Sequence, residues 1–249
     1  MRAIHVGFAC NNACVFCAQG ALRGARPAAS EDEVARAIAA VEPGETVAFA
    51  GGEPTLFAAL PAWIRAADAR GAASVILQTN GRRLAYRAFA QLLREASPRL
   101  RLDVSLHGAT AAMHDWHTGT EGSFAQTVQG LRNARAERIP VGVTVVVTRP
   151  SFRHLTEIVR VAHAAGATAV HFAPVEPAGR ASRDRARLVP APEMVAPHLQ
   201  RAAAEATRLG LQVQIGAAGT QLFPGLGVVE DGFEAPDLTS TLPSRPPSG

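Results

Sequence analysis

Short, continuous apolar runs alternate with longer runs in which apolar residues recur every three or four positions. The short runs "AIHVGF" (3–8), "TVAFA" (46–50), "SVILQT" (74–79), "RLDVSL" (101–106), "VGVTVVV" (141–147) and "AVHFAP" (169–174) read as strands, with "LQVQI" (211–215) a candidate last one. Val34, Ala37, Ile38 and Val41 share one face of a helix over 30–41, which Ser30 and Glu33 open as a capping box. Leu60, Trp63, Ile64 and Ala67 mark a second helix that stops near Gly71. Further helices carry Leu84, Phe89, Leu92 and Leu93, then Phe124, Val128 and Leu131, then Leu155, Ile158, Val159 and Ala162; a last one spans 193–209.

Continuous apolar strands between amphipathic helices imply a parallel sheet covered by helices. Six strand–helix units predict an α/β fold, a partial (β/α)6 TIM-like barrel of parallel strands with outer helices. Residues 1–216 are expected to form one core domain. Residues 217–249 read as a Gly/Pro-rich C-terminal extension, whose last stretch "TSTLPSRPPSG" (239–249) is expected to be disordered.

Composition narrows the chemistry. All 25 basic residues are arginine, so no lysine is present to form a Schiff base or to serve a Walker-type phosphate loop. The formal net charge of +4 is modest, and nucleic acid is not the expected partner. No apolar run reaches membrane-spanning length and the N-terminal stretch lacks a secretion signal, so a cytoplasmic location is expected.

All three cysteines, Cys10, Cys14 and Cys17, lie in "CNNACVFC" (10–17). An odd count cannot close as disulfides, and clustered thiols in a reducing compartment point to metal. Three ligands are one short of a closed structural site and suit an iron–sulfur cluster with one open iron. A zinc site completed by His5 or His107 is the alternative. The segments after the other strands are polar or small: "GGEPT" (51–55), "QTNG" (78–81), "SLHG" (105–108), "TRPS" (148–151) and "PVEPAGR" (174–180). In a parallel strand–helix fold these converge on the C-terminal rim, where chemistry gathers.

In that order and at those positions, Cys10-x3-Cys14-x2-Cys17 with Phe16, "GGEP" (51–54), "TNG" (79–81) and "VSLHG" (104–108) resemble the motifs of the radical S-adenosylmethionine (radical SAM) enzymes over roughly residues 3–180. The resemblance is to a minimal single-cluster core in the branch of the molybdenum-cofactor biosynthesis protein A. It implies that the three cysteines ligate a [4Fe–4S] cluster. S-adenosylmethionine would then be cleaved reductively to a 5′-deoxyadenosyl radical that takes hydrogen from substrate. Gly51, Gly52, Glu53 and Pro54 are the implied cofactor-binding run, with Glu53 offering a carboxylate to an ammonium; Asn80 and Ser105 are implied to bond the ligand's amino acid or ribose.

The catalytic residues are not fixed by the motifs; His107 and, in the loop beyond it, His114 and His117 beside Asp115 are candidates to line the substrate cavity or donate a proton, or else form a polar surface loop. Arg23, Arg26 and the run Arg180–Arg187 either hold an anionic group of the substrate or are solvated. No cysteine follows Cys17, so the auxiliary clusters of many relatives are expected to be absent. The leading expectation is radical modification of a small organic or peptide substrate in a biosynthetic pathway, with flavodoxin or ferredoxin as reductant. An activase that makes a glycyl radical on a partner protein, and a non-catalytic metal or electron carrier, are the alternatives.

Overall fold

Every apolar run of the sequence forms a strand of one parallel sheet. The computed structural model describes residues 1–216, so the expected C-terminal extension lies outside the described residues. The strands are β1 (Arg2–His5), β2 (Thr46–Ala50), β3 (Ser74–Thr79), β4 (Leu100–Ser105), β5 (Val141–Val147), β6 (Ala169–Pro174) and β7 (Gln212–Ile215). They pair in chain order, β1-β2-β3-β4-β5-β6-β7, all parallel, in registers such as Ile4↔Phe49, Leu77↔Leu102 and Thr144↔His171. β1 and β7 do not pair with each other among the described residues, so the sheet is an unclosed barrel wall. The candidate seventh strand is therefore real and adds an edge to the six expected units.

The helices are α1 (Glu31–Ala39), α2 (Leu60–Ala69), α3 (Arg87–Ala96), α4 (Ala111–Thr118), α5 (Ser123–Ala136), α6 (Leu155–Ala165), the short α7 (Arg185–Leu188) and α8 (Pro192–Arg208). α1 begins with the expected capping box: Ser30 Oγ accepts from the Glu33 N–H, and Glu33 accepts from the Ser30 N–H. Gly166 in a left-handed conformation stops α6, where a residue with Cβ would be strained.

Strand alternation divides the molecule into two faces. Val47, Phe49, Val75, Leu77, Leu102 and Val104 are essentially sealed and join Leu60, Ile64, Leu93 and Leu131 of the helices in one core. Each such side chain contributes about 1.5–3 kcal/mol of hydrophobic stabilisation. The opposite, concave face carries Ala48 and Ile76 and then polar residues.

Two local expectations are corrected. The segment expected as a loop at "HDWH" (114–117) is the helix α4. Thr110 caps it by accepting from the Met113 N–H, and left-handed Gly119 ends it. Leu84, expected in a helix with Phe89, sits instead in a 3-10 turn (Arg82–Ala85) ahead of α3. Left-handed Gly81 leads into that turn and Tyr86, in an extended conformation, separates it from α3. No described helix is long and apolar enough to cross a membrane.

Candidate active site

The three cysteines occupy the loop after β1 at the C-terminal rim of the sheet, all of them free and partly buried. The loop is irregular, so its backbone must find partners elsewhere. Two N–H groups find them at the end of α4: Ala13 donates to the Thr118 carbonyl (2.7 Å) and Val15 to the His117 carbonyl (2.9 Å). These are carbonyls a helix terminus leaves free.

Its carbonyls are held by arginines from three distant segments. Arg23 donates to the carbonyls of Cys10 and Asn12. Arg82 donates to the Asn11 carbonyl and to Asn12 Oδ1 (3.0 Å). Arg180 donates to the Cys14 carbonyl (3.2 Å). Arg23 and Arg180 are thus fixed against the cysteine loop rather than merely solvated. Arg187 belongs to the exposed side of its run, paired with Asp184 (3.2 Å).

The "GGEP" run abuts the loop as expected from the convergence of strand ends. The Glu53 N–H donates to the Ala9 carbonyl (2.7 Å), and the Gly52 N–H to Gln19 Oε1 (3.2 Å). Gly52 has φ +46°, and a Cβ there would sit against the Ala9 carbonyl oxygen, far inside van der Waals contact. Gly51 lies under the His5 ring in the same way. Pro54 opens the following 3-10 turn and is buried.

Glu53 is fully buried, and its carboxylate organises the rim. Oε1 accepts from the Thr55 N–H (3.1 Å), the Thr55 hydroxyl (2.6 Å) and the Thr79 hydroxyl (2.7 Å); Oε2 accepts from the Asn80 N–H (2.7 Å). Burial pushes this carboxyl above its ordinary value, while those donors pull it down. Thr79 and Asn80 end β3, so one carboxylate ties two strand ends together. Asn80 then reaches the cysteine loop: Nδ2 donates to Asn11 Oδ1 (2.6 Å) and lies 4.0 Å from Cys10 Sγ. Ser105 ends β4 on the concave face, partly exposed.

The thiols sense one another. Cys14 is pushed up to about 12, first by burial and then by the neighbouring Cys17 and Cys10. Thiolates this close are stabilised by a cation. Among the described residues no three of His, Cys, Asp or Glu surround a single ion position, and neither His5 nor His107 joins the cysteines in one. In an iron–sulfur cubane each thiolate binds its own iron, so three separate anchors on one loop suit that donor set.

The three candidate histidines are brought together beneath Phe16. His107 meets the Phe16 ring edge-on at 4.7 Å and stacks with His114 at 6.0 Å; His117 lies 6.1 Å from Phe16. All three are buried, not part of a surface loop, and burial lowers each below the ordinary imidazole value, His114 to about 4. Their roles separate by hydrogen bonding. His117 is fully engaged: Nδ1 donates to the Met113 carbonyl and Nε2 accepts from the Thr148 hydroxyl, both at 2.8 Å. His114 Nδ1 accepts from the His107 N–H (3.1 Å), while its Nε2 is buried without a partner. His107 Nδ1 accepts from the Val146 N–H (3.4 Å). Asp115 bonds to none of them and caps α5 through Ser123 and Phe124.

Arg82 and Asn11 were not singled out from the sequence. "TNG" signalled Asn80 and the neighbouring Thr79, but nothing local signalled that Arg82 would span to the cysteine loop.

The model of the radical SAM superfamily matches residues 4–162. Among curated proteins, the chain is 29% identical over 187 residues to the AdoMet-dependent heme synthase of Oleidesulfovibrio alaskensis, covering 74% of this chain and 47% of that one. It is 29% identical over 180 residues to a probable GTP 3′,8-cyclase of Sulfolobus acidocaldarius, covering 69% and 54%. The chain thus spans about half the length of these relatives. Among solved structures, Streptococcus suis SuiB superposes with a TM-score of 0.70 at 13% identity, covering 93% of this chain and 53% of that one. AdoMet-bound anSMEcpe superposes at 0.66 and 19% identity, covering 86% and 63%.

Proposed function

This chain belongs to the radical SAM superfamily, and from that premise we propose that it starts radical modification of a small organic or peptide substrate in a biosynthetic pathway. The observation that carries the proposal is the joining of three motifs at one rim: the three-cysteine loop, "GGEP" and "TNG" are linked through Ala9, Glu53, Asn80 and Asn11.

Cys10, Cys14 and Cys17 would hold the [4Fe–4S] cluster that the family uses. That cluster, once bound and reduced, supplies the electron that cleaves S-adenosylmethionine to the hydrogen-abstracting radical. The protein's own part is positioning. Gly51 and Gly52 let the backbone come close to the ligand. Glu53 fixes Thr79 and Asn80 through its hydrogen bonds to both. Pro54 fixes the turn behind Glu53. Asn80 and Ser105, at adjacent strand ends, would bond the amino acid or ribose. Neutral His107, against Phe16, would line the substrate cavity, supported from α4 by His114, which accepts its N–H. The electron would come from a flavodoxin or ferredoxin.

The relatives, a heme synthase and a probable GTP cyclase among them, differ in substrate, and they do not define a shared pathway. The test is anaerobic reconstitution with iron and sulfide, followed by reduction with dithionite in the presence of S-adenosylmethionine. Release of 5′-deoxyadenosine is expected, and Cys14→Ala should abolish both the cluster absorbance and the release. A wild-type protein that binds zinc in place of an iron–sulfur cluster, or a Cys14→Ala variant with full release, would overturn the proposal.

A further inference from the structure

Below the rim, the concave face of the sheet carries a line of polar side chains that none of the motifs accounts for. Gln78 on β3, Asp103 on β4, Thr144 on β5 and His171 on β6 occupy adjacent strands and bond in sequence. Gln78 Nε2 donates to Asp103 Oδ2 (3.4 Å), Thr144 Oγ1 donates to Asp103 Oδ1 (2.6 Å), and Thr144 Oγ1 meets His171 Nδ1 at 3.4 Å. Asp103 and His171 are buried, yet neither lies in the apolar core; their neighbours along the strands, Leu102, Val104, Val170 and Phe172, do.

Two features show that this line borders open space. The concave-face residues Gln78, Ser105, Thr144 and Ala173 are partly exposed, whereas the residues of the opposite face are sealed. Toward the cysteine loop the next concave-face positions on β4 and β6 are the small Ser105 and Ala173, with half-buried Val146 between them on β5.

The proton inventory then fixes the histidine. A hydroxyl has one proton. Thr144 gives it to the Asp103 carboxylate, so toward His171 it can only accept. His171 must therefore carry its proton on Nδ1, and a neutral imidazole so arranged presents Nε2 as an acceptor. Burial keeps the ring neutral, its value lowered to about 4. Nε2 has no hydrogen-bond partner among the described residues; it faces Gly216, where a Cβ would stand 3.4 Å from it.

We propose that the space beneath the cysteine loop is a subsite for a polar group of the substrate, in which His171 Nε2 receives an amide N–H or a hydroxyl and Thr144 and Asp103 hold it in the accepting tautomer. This deepens the proposed function and rests on it: the substrate carries an uncharged hydrogen-bond donor on the part that reaches past the rim. Asp103 and Thr144 act through His171 as positioning residues.

Long-range proton–nitrogen spectra of histidine-labelled, cluster-loaded, oxidised protein test the tautomer, recorded at pH about 8 so that Asp103, raised to about 6, is ionised. The His171 signals, assigned by their loss in His171→Gln, should show the Nδ1–H form. Thr144→Val should lose that pattern, and Asp103→Asn, whose oxygen still accepts, should keep it. An Nε2–H form in the wild type overturns the proposal whatever the variants do. Diethyl pyrocarbonate, which needs an unprotonated and reachable nitrogen, should modify His171 in peptide mass spectra, and S-adenosylmethionine should slow that reaction. Failure of His171 to react in folded protein also overturns it. Release of 5′-deoxyadenosine, scored on the same preparation, separates the two readings: release with the wrong tautomer removes the subsite alone, and the right tautomer without release removes the radical chemistry alone.

Discussion

Replacing Glu53 by Gln should destabilise the protein before any cofactor is added. The carboxylate accepts four hydrogen bonds with no solvent contact, three at Oε1 and one at Oε2. Glutamine keeps one acceptor oxygen. If that oxygen serves the three donors at Oε1, the new amide faces the Asn80 N–H, donor against donor. A hydrogen bond to a charged group is worth about 1.5–3 kcal/mol, and an unsatisfied buried N–H costs about 1–3 kcal/mol. The expected loss is therefore about 3 kcal/mol. For a chain of this size that corresponds to a fall in Tm of roughly 6–12 °C. Thermal unfolding of the apoprotein at neutral pH, followed by circular dichroism, reads it directly. The second consequence is functional: Asn80, freed from its tether, no longer holds Asn11, so 5′-deoxyadenosine release should fall more than iron content does. A Tm within about 2 °C of wild type would refute the reasoning. It would mean that burial already keeps Glu53 protonated, since a neutral acid loses little on becoming an amide.

Gly52→Ala combines a left-handed backbone, costing about 1–2 kcal/mol, with a Cβ thrust at the Ala9 carbonyl; iron and sulfide per chain should drop sharply, and wild-type loading would contradict this. Asp103 tests the pH dependence of stability. Burial raises its carboxyl to about 6, so its folded form holds a proton more tightly than its unfolded form. Its contribution is complete below its unfolded value, near 3.9, and is lost as pH rises through about 6. The stability of wild type minus that of Asp103→Asn, from urea melts, should fall by about 2–3 kcal/mol over that window; a flat difference would show that Asp103 is not so perturbed. Asp115→Ala removes the acceptor for the Gly122 and Phe124 N–H groups at the start of α5. It should lower unfolding free energy by about 1–2 kcal/mol, and an unchanged denaturation midpoint would remove its capping role.

Periodicity along the chain was enough to place the strands, because the helix-facing positions of a parallel sheet are apolar without interruption and stop where the strand stops. "CNNACVFC", "GGEP" and "TNG" stood out for a related reason: each is a local run whose chemistry is written in adjacent residues. α4 was missed because its polar residues point inward, His114 against His107 and Phe124 and His117 against Phe16 and Thr148, so the helix shows no outward polar stripe to read. The strand "RLDVSL" did carry an anomaly, an aspartate where apolar residues belong, but one strand cannot say what its neighbours offer.

The sequence by itself determined the order of the strands, the family and the grouping of the three cysteines in one loop, since these depend on residues close together in the chain. Tertiary structure alone decided that Arg23, Arg82 and Arg180 converge on one loop, that Glu53 binds the end of β3, and that Asp103, Thr144 and His171 form one line. Those contacts join residues from 11 to 166 positions apart. They exist because strand pairing and helix packing bring distant backbone together, and there a buried polar atom must find whichever partner the fold has placed beside it.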